Sequence, residues 1–140
     1  MAAFAALDVS KKSTSIHIVD EKGVCLWRGK TLTNPAALAE ALSPFSDDLT
    51  LVGLETGSWT TWLWHELTER GFPMVCMDAR QAHAALSVTI NKTDANDAQG
   101  LAHLLRTGLF REVRVKGWED VQKRTLLRAR ATMLRCVLDL

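Results

Sequence analysis

Residues 3–28 read AFAALDVSKKSTSIHIVDEKGVCLWR. The first seven, AFAALDV, are a short apolar run interrupted near its end by a carboxylate, Asp8, which suits a buried strand. Ser10 to Ser13 make a polar turn. Thr14, Ile16 and Ile18 then alternate with Ser15, His17 and Val19, a second strand with one face better buried than the other. Asp20-Glu21-Lys22-Gly23 has the composition of a hairpin turn, with Gly23 free to take a positive φ. Val24 to Arg28 closes a three-stranded antiparallel meander.

Beyond the meander the period changes. Asn34-Pro35 opens a helix, with Asn as N-cap and Pro at the first helical position, and Pro44 ends it. Leu49 to Leu54 is a second continuous apolar strand, again meeting a carboxylate, Glu55. Thr56-Gly57-Ser58 supplies a turn and cap for a helix whose apolar line is Trp59, Leu63 and Leu67 and which Gly71 closes. Pro73 to Met77 is the next strand, and Ala79 to about Val88 the next helix. Thr93 caps a helix beginning at Asp94 and ending at Gly108. Gly100 inside that helix costs about 1 kcal/mol relative to alanine, so a close-packing reason for it is expected. From about Trp118 to Leu140 the pattern is helical throughout, with Leu127, Ala131, Leu134 and Leu138 on one stripe. The order is β-β-β-α-β-α-β-α and then further helix, which predicts a mixed sheet with helices packed on its faces.

The totals fit one domain of 140 residues, 47% apolar and 24% charged. No apolar run is long enough to span a bilayer, and the N-terminus lacks the basic segment of a signal peptide, so a cytoplasmic protein is expected. Cys25, Cys76 and Cys136 have no metal or disulfide spacing and are expected to be buried small hydrophobes. The net charge of +1 conceals an asymmetry: residues 1–105 carry −4 and residues 106–140 carry +5. An acidic body with a basic C-terminal helix suits metal ions in one place and a polyanion in the other. A solvated amphipathic helix explains the charge equally well.

Two strands ending in carboxylates put Asp8 and Glu55 where α/β folds place their sites. Asp94-Ala95-Asn96-Asp97 sets two more carboxylates on one face at a helix start. A helix N-terminus favours acidic side chains for its own sake. Asp8, closing so apolar a run, has the stronger need of a partner. Four carboxylates meeting at one place repel unless cations lie between them, and hard oxygen ligands select Mg²⁺ or Mn²⁺. The basic stretch from Arg106 onward, with Arg111, Arg114, Lys123, Arg124, Arg128 and Arg130, is suited to a phosphate backbone.

The segments LDVSKKSTSIHIVDEKG, VGLETGSWTTWLWHEL, Arg80-Gln81 and KTDANDAQGLAHLLRTG together resemble the N-terminal domain of the DEDD transposases, the insertion-sequence transposases and Piv-type DNA invertases. The resemblance runs from about residue 3 to residue 135. It implies an α/β, ribonuclease H-like (RuvC-like) fold: a mixed five-stranded sheet with helices on both faces, followed by a helical extension. It implies a catalytic, metal-binding tetrad at Asp8, Glu55, Asp94 and Asp97, with Lys92 and Thr93 at the family's K-T position and Trp59 at its aromatic position. The boundaries it implies are a catalytic domain over 1–114 and the start of a long coiled-coil-like segment over 115–140. The family's C-terminal serine domain is expected to be absent, so that the chain alone would not complete recombination. DNA is the partner implied, with a structured guide RNA and a homo-oligomer through the C-terminal helix as further expectations.

Other residues read more plainly. His17, His65, His83 and His103 lack ligand spacing and are taken as structural or surface groups. Trp59, Trp62 and Trp64 are taken as core or groove-lining, and Asp78, which follows a strand, as a fifth candidate for the metal site. An actin-like sugar kinase or ATPase lobe shares the meander, but it needs a glycine in the turn after its first Asp, and Val9-Ser10-Lys11-Lys12 has none. The non-enzymatic alternative is a truncated module that dimerises and binds nucleic acid without cutting it.

Overall fold

A computed structural model of the chain describes residues 2–87 and 94–139, with every side chain among them except those of residues 94–96 and 118. Lys92 and Thr93, and with them the expected cap of the helix at Asp94, lie outside the described residues.

The meander forms as read. β1 (Ala3–Val9) pairs antiparallel with β2 (Ser13–Asp20), and β2 with β3 (Cys25–Leu32). Gly23 takes φ +86° in the hairpin turn, where the Asp20 carboxylate accepts hydrogen bonds from the Lys22 and Val24 amides. β3 runs four residues further than its apolar pattern suggests. As an edge strand it needs no second buried face, so Arg28 and Lys30 sit in it exposed. β4 (Leu49–Glu55) and β5 (Met74–Met77) add parallel strands, giving one five-stranded sheet of order β3-β2-β1-β4-β5.

Helices cover both faces. On one, α1 (Pro35–Leu42) and α2 (Thr60–Glu69) bury Leu38, Leu42, Leu63 and Leu67 against Ala5, Leu7, Ile16, Ile18, Val52 and Leu54. Asn34 caps α1 through its side chain, as expected. α2 begins at Thr60, with Trp59 as an N-cap residue whose side chain makes no capping bond; its buried line is therefore Thr60, Leu63 and Leu67 rather than one starting at Trp59. On the other face, α3 (Ala79–Leu86) and α4 (Asp94–Thr107) bury Ala82, Ala98, Leu101, Ala102 and Leu105 against Ala6, Val19 and Met77. Each fully buried leucine contributes about 1.5–3 kcal/mol.

Gly53 allows α4 to lie close to β4: a Cβ there would be 2.9 Å from Met77 Cε and 3.0 Å from Leu105 Cδ1. Gly100 has the close-packing reason expected of it, since a Cβ would be 2.5 Å from Leu86 Cδ2 on α3. After α4, residues 109–113 return beside β5, with Val113 N donating to Cys76 O and Glu112 bridging to Met77. Val113 and Val115 pack on the first core. α5 (Trp118–Leu138) is exposed along its described length apart from the half-buried Val121, and Leu127, Leu134 and Leu138 are among its exposed residues.

The cysteine expectation holds for Cys76 alone. Burial, followed by Asp78 and Glu112, raises its thiol pKa to about 11. Cys25 and Cys136 are exposed, one opening the edge strand and the other on α5. Among the described residues no helix is long and apolar enough to cross a membrane.

Candidate active site

Leu7 of β1 lies opposite Leu54 of β4 in a parallel register, so Asp8 and Glu55 are the next residue on each strand. Paired strands lie about 4.8 Å apart. Side chains alternate between sheet faces: Leu7 and Leu54 point to the α1–α2 core, which puts Asp8 and Glu55 together on the α4 face. Both are half-buried. They line a cavity of about 260 Å³ with Val9, Thr56, Gly57 and Trp59.

The loop around this cavity is tied down from several sides. Thr60 Oγ1 donates to Glu55 O at 2.6 Å, Thr56 N donates to Met77 O, and Thr56 Oγ1 accepts from Ala79 N at 3.0 Å. The turn after Glu55 is thus fastened to the end of β5 and the start of α3. From α3, His83 Nε2 stands 4.0 Å from Glu55 Oε2. Nothing in the spacing of the sequence marks His83 as a neighbour of Glu55; only the crossing of α3 brings it there. Trp59 lines the cavity and meets Trp62 edge to face, the two being 38% and 37% exposed.

α4 reaches the same end of the sheet. It lies against β1 and β2. Near its C-terminus, Arg106 packs on Gly23 and reaches Glu21 O, at the hairpin beside the beginning of β1. The helix therefore runs opposite to β1, and its first turn, with Asp94 and Asp97 in its backbone, lies toward the end where Asp8 and Glu55 stand. Asp97 is half-buried, and the Asp94 side chain lies outside the described residues. Among the described residues no three His, Cys, Asp or Glu side chains come together as a metal-holding group. The structure thus joins Asp8 with Glu55 and does not join Asp97 to them as a third ligand. The Asp8–Glu55 pair itself fits a hard divalent cation, being two carboxylates from rigid strands beside a small cavity.

Asp78 has another task. Its carboxylate accepts from Arg80 N at 2.9 Å and Gln81 N at 3.3 Å as the N-cap of α3. Gln81 clamps the returning segment, donating to Leu109 O and accepting from Arg111 N. Among the basic candidates, Arg111 and Arg114 are exposed beside that segment, and Lys123, Arg124, Arg128 and Arg130 are exposed on α5. Arg106 is partly buried and its Nη2 meets His103 Nδ1 at 3.1 Å.

A five-stranded mixed sheet of this order, helices on both faces and acidic residues ending two neighbouring inner strands define the ribonuclease H-like class. The fold is similar to that of T. thermophilus RuvC, solved in complex with a Holliday junction substrate, with a TM-score of 0.56 at 14% identity over 81% of this chain and 100% of that one. The large terminase nuclease from the thermophilic phage G20c gives a TM-score of 0.45 at 15% identity, over 76% of this chain and 54% of that one. No curated protein matches the chain significantly. The model of the IS110-type DEDD transposases, described as Transposase, matches residues 5–140, and the chain belongs to that family.

Proposed function

We propose that this transposase domain acts on DNA phosphodiesters through divalent metal, Mg²⁺ or Mn²⁺, held by Asp8, Glu55, Asp94 and Asp97. The observation that carries the reading is the placement of Asp8 and Glu55 side by side on the α4 face, at the rim of one cavity. Two such ions, when bound, stabilise the attacking and leaving oxygens of an in-line displacement. The chain's own contribution is positional. β1 and β4 fix two carboxylates, the Thr56 and Thr60 bonds hold the loop beside them, and α4 directs its acidic first turn toward the same end of the sheet. His83, its Nε2 4.0 Å from Glu55 Oε2, stands at the edge of that carboxylate and limits how it turns.

DNA is the substrate, and a structured guide RNA is a further partner suggested by the family resemblance. The exposed Leu127, Leu134 and Leu138 of α5 suit pairing with the same helix of a second copy. The test is a thermal melt with and without 5 mM Mn²⁺, a concentration on the order of that needed to fill a weak two-carboxylate site. The melting temperature rises in the parent chain and does not rise in Asp8→Asn or Asp97→Ala. A parent chain indifferent to Mn²⁺ and Mg²⁺ overturns the metal reading.

One observation favours a second reading, a module that binds nucleic acid without cutting it: no group of three metal-ligating side chains forms among the described residues. That reading expects nucleic-acid binding unchanged by metal removal and by Asp97→Ala.

A further inference from the structure

We propose that the trough between α4 and β3 holds the phosphate backbone of duplex DNA, as a contact separate from the carboxylates and to one side of them. It rests on the reading of this chain as a domain that acts on DNA.

α4 covers β1 and β2 on its face of the sheet and leaves β3 open. Arg28 lies opposite His17 and Cys25 opposite Val19, so Arg28 and Cys25 stand on that open face beside the helix. A broad depression of about 1490 Å³ follows α4 along both flanks. At 100° per residue, Gln99, His103 and Arg106 fall on the flank toward the β2–β3 hairpin, where Arg106 touches Gly23, while Gly100 faces Leu86 of α3 on the other. The β3 side of the depression is therefore walled by Lys22 and Arg28 from the hairpin and by His103 and Arg106 from the helix.

The charge there is one-signed. Among the described residues lining the whole depression there are four Lys or Arg and two His, and no Asp or Glu. Residues 1–105, which supply most of the lining, carry a net −4. The basic concentration is therefore set by placement and not by composition. Arg106 is positioned by packing: its Nε is buried with no acceptor, Nη2 meets His103, and the guanidinium lies on the glycine turn. His17 adds no charge, since burial and then Arg28 lower its pKa. The cations available to an anion on this flank are Lys22, Arg28 and Arg106.

Two features select duplex DNA as the anion. The β3 flank carries no Phe, Tyr or Trp, since Phe110 of the lining belongs to the 109–111 segment held by Gln81 on the α3 side, and single strands are held largely by stacking on such side chains. The trough also lies at a usable distance from the carboxylates. His17 and Arg28 are level with Ala6, two residues below Asp8, and the Lys22–Gly23 turn lies beyond Ala3, five residues below. At ~3.3 Å per residue along a strand and ~4.8 Å between strands, with β3 two strands from β1, Arg28 is roughly 12 Å and the Lys22–Gly23 turn roughly 18 Å from Asp8. With ~3.4 Å of duplex per base pair on each strand, they meet phosphates about three to five base pairs from a phosphate at Asp8 and Glu55.

The test uses the full chain, a fluorescent duplex of about 30 base pairs, ample for the five-pair reach above, and EDTA, with the dissociation constant measured across a salt series. Each lost phosphate contact lowers the log–log salt slope by about 0.9. Lys22→Gln/Arg28→Gln is expected to lower it by about 1.8, which is about 60-fold weaker binding at 0.1 M salt if the 1 M intercept is unchanged. Arg28→Gln alone is expected to give about half that slope change, about 8-fold, and stands in if the double variant does not fold. The Mn²⁺ melting shift stays in both variants, and Asp8→Asn keeps the duplex slope. A parent chain without an Mn²⁺ response, but with the slope change intact, removes the metal reading and leaves the trough. An unchanged slope, a parent that does not bind duplex, or a loss confined to single-stranded RNA overturns the trough.

Discussion

Replacing Gly53 with alanine tests whether α4 sits where it does because β4 has no side chain beneath it. The added Cβ would stand 2.9 Å from Met77 Cε and 3.0 and 3.2 Å from the two δ-carbons of Leu105. Carbon pairs rest at about 3.5–4.0 Å, so these atoms must retreat by roughly 0.5–1 Å. Met77 and Leu105 are 0% and 1% exposed, which leaves them little room. Overpacking of this kind costs about 1–3 kcal/mol, and removing a strand glycine returns about 0.5–1 kcal/mol. The net loss is about 1–2 kcal/mol, or about 3–8 °C in melting temperature for a chain of this size. Circular dichroism melts measure it directly. Leu105→Ala in the same background opens space, so the double variant should lose less than the sum of the two singles. A Gly53→Ala chain that melts at or above the parent refutes the close-approach argument.

Two further outcomes follow from single residues. Because His17 has a lowered pKa in the folded chain, from burial first and Arg28 second, the unfolded chain binds its proton at a higher pH than the folded one. The stability contributed by keeping His17 neutral is complete above about pH 6.5 and declines as pH falls toward the folded value; melts at pH 7.5 and 5.5 should converge in His17→Gln, and an equal acid loss in that variant counts against the assignment. Asp78→Ala removes the cap of α3 and is expected to cost about 1 kcal/mol, whereas Asp78→Asn retains most of it and leaves the Mn²⁺ shift unchanged; equal losses in the two would show that capping is not the role of this side chain.

The meander was legible because its signals are local: an apolar run, a period of two, and Asp-Glu-Lys-Gly at the turn. Asp8 and Glu55 were legible for the same reason, each meeting the end of an apolar strand. What stayed hidden depended on partners distant in sequence. β3 continues to Leu32 because hydrogen bonds to β2 support it, with no apolar pattern to announce it. The return of residues 109–113 beside β5 needs Gln81, Cys76 and Met77, none of them near in sequence. Asp78 follows a strand and also precedes a helix, and the nearby amides of α3 claimed it. His83 reaches Glu55 only once α3 has been placed.

α4 links the two regions to which function is assigned. Its inner face fits the sheet through Gly53, its first turn lies toward the carboxylates, and its β3-side flank forms a wall of the basic trough. From Leu105 to Asp97 is eight residues, ~12 Å of helix axis. A side chain inserted at position 53 near Leu105 therefore tilts the helix about a point well removed from its acidic turn, so a small local retreat is transmitted to the far end. The trough wall at Arg106 is one residue from the pressure point and moves with it. Gly53→Ala should thus weaken the Mn²⁺ response and the duplex salt slope together, whereas Asp8→Asn and Lys22→Gln/Arg28→Gln each affect one. Joint loss from a buried glycine that touches neither ligand is what a shared rigid helix requires.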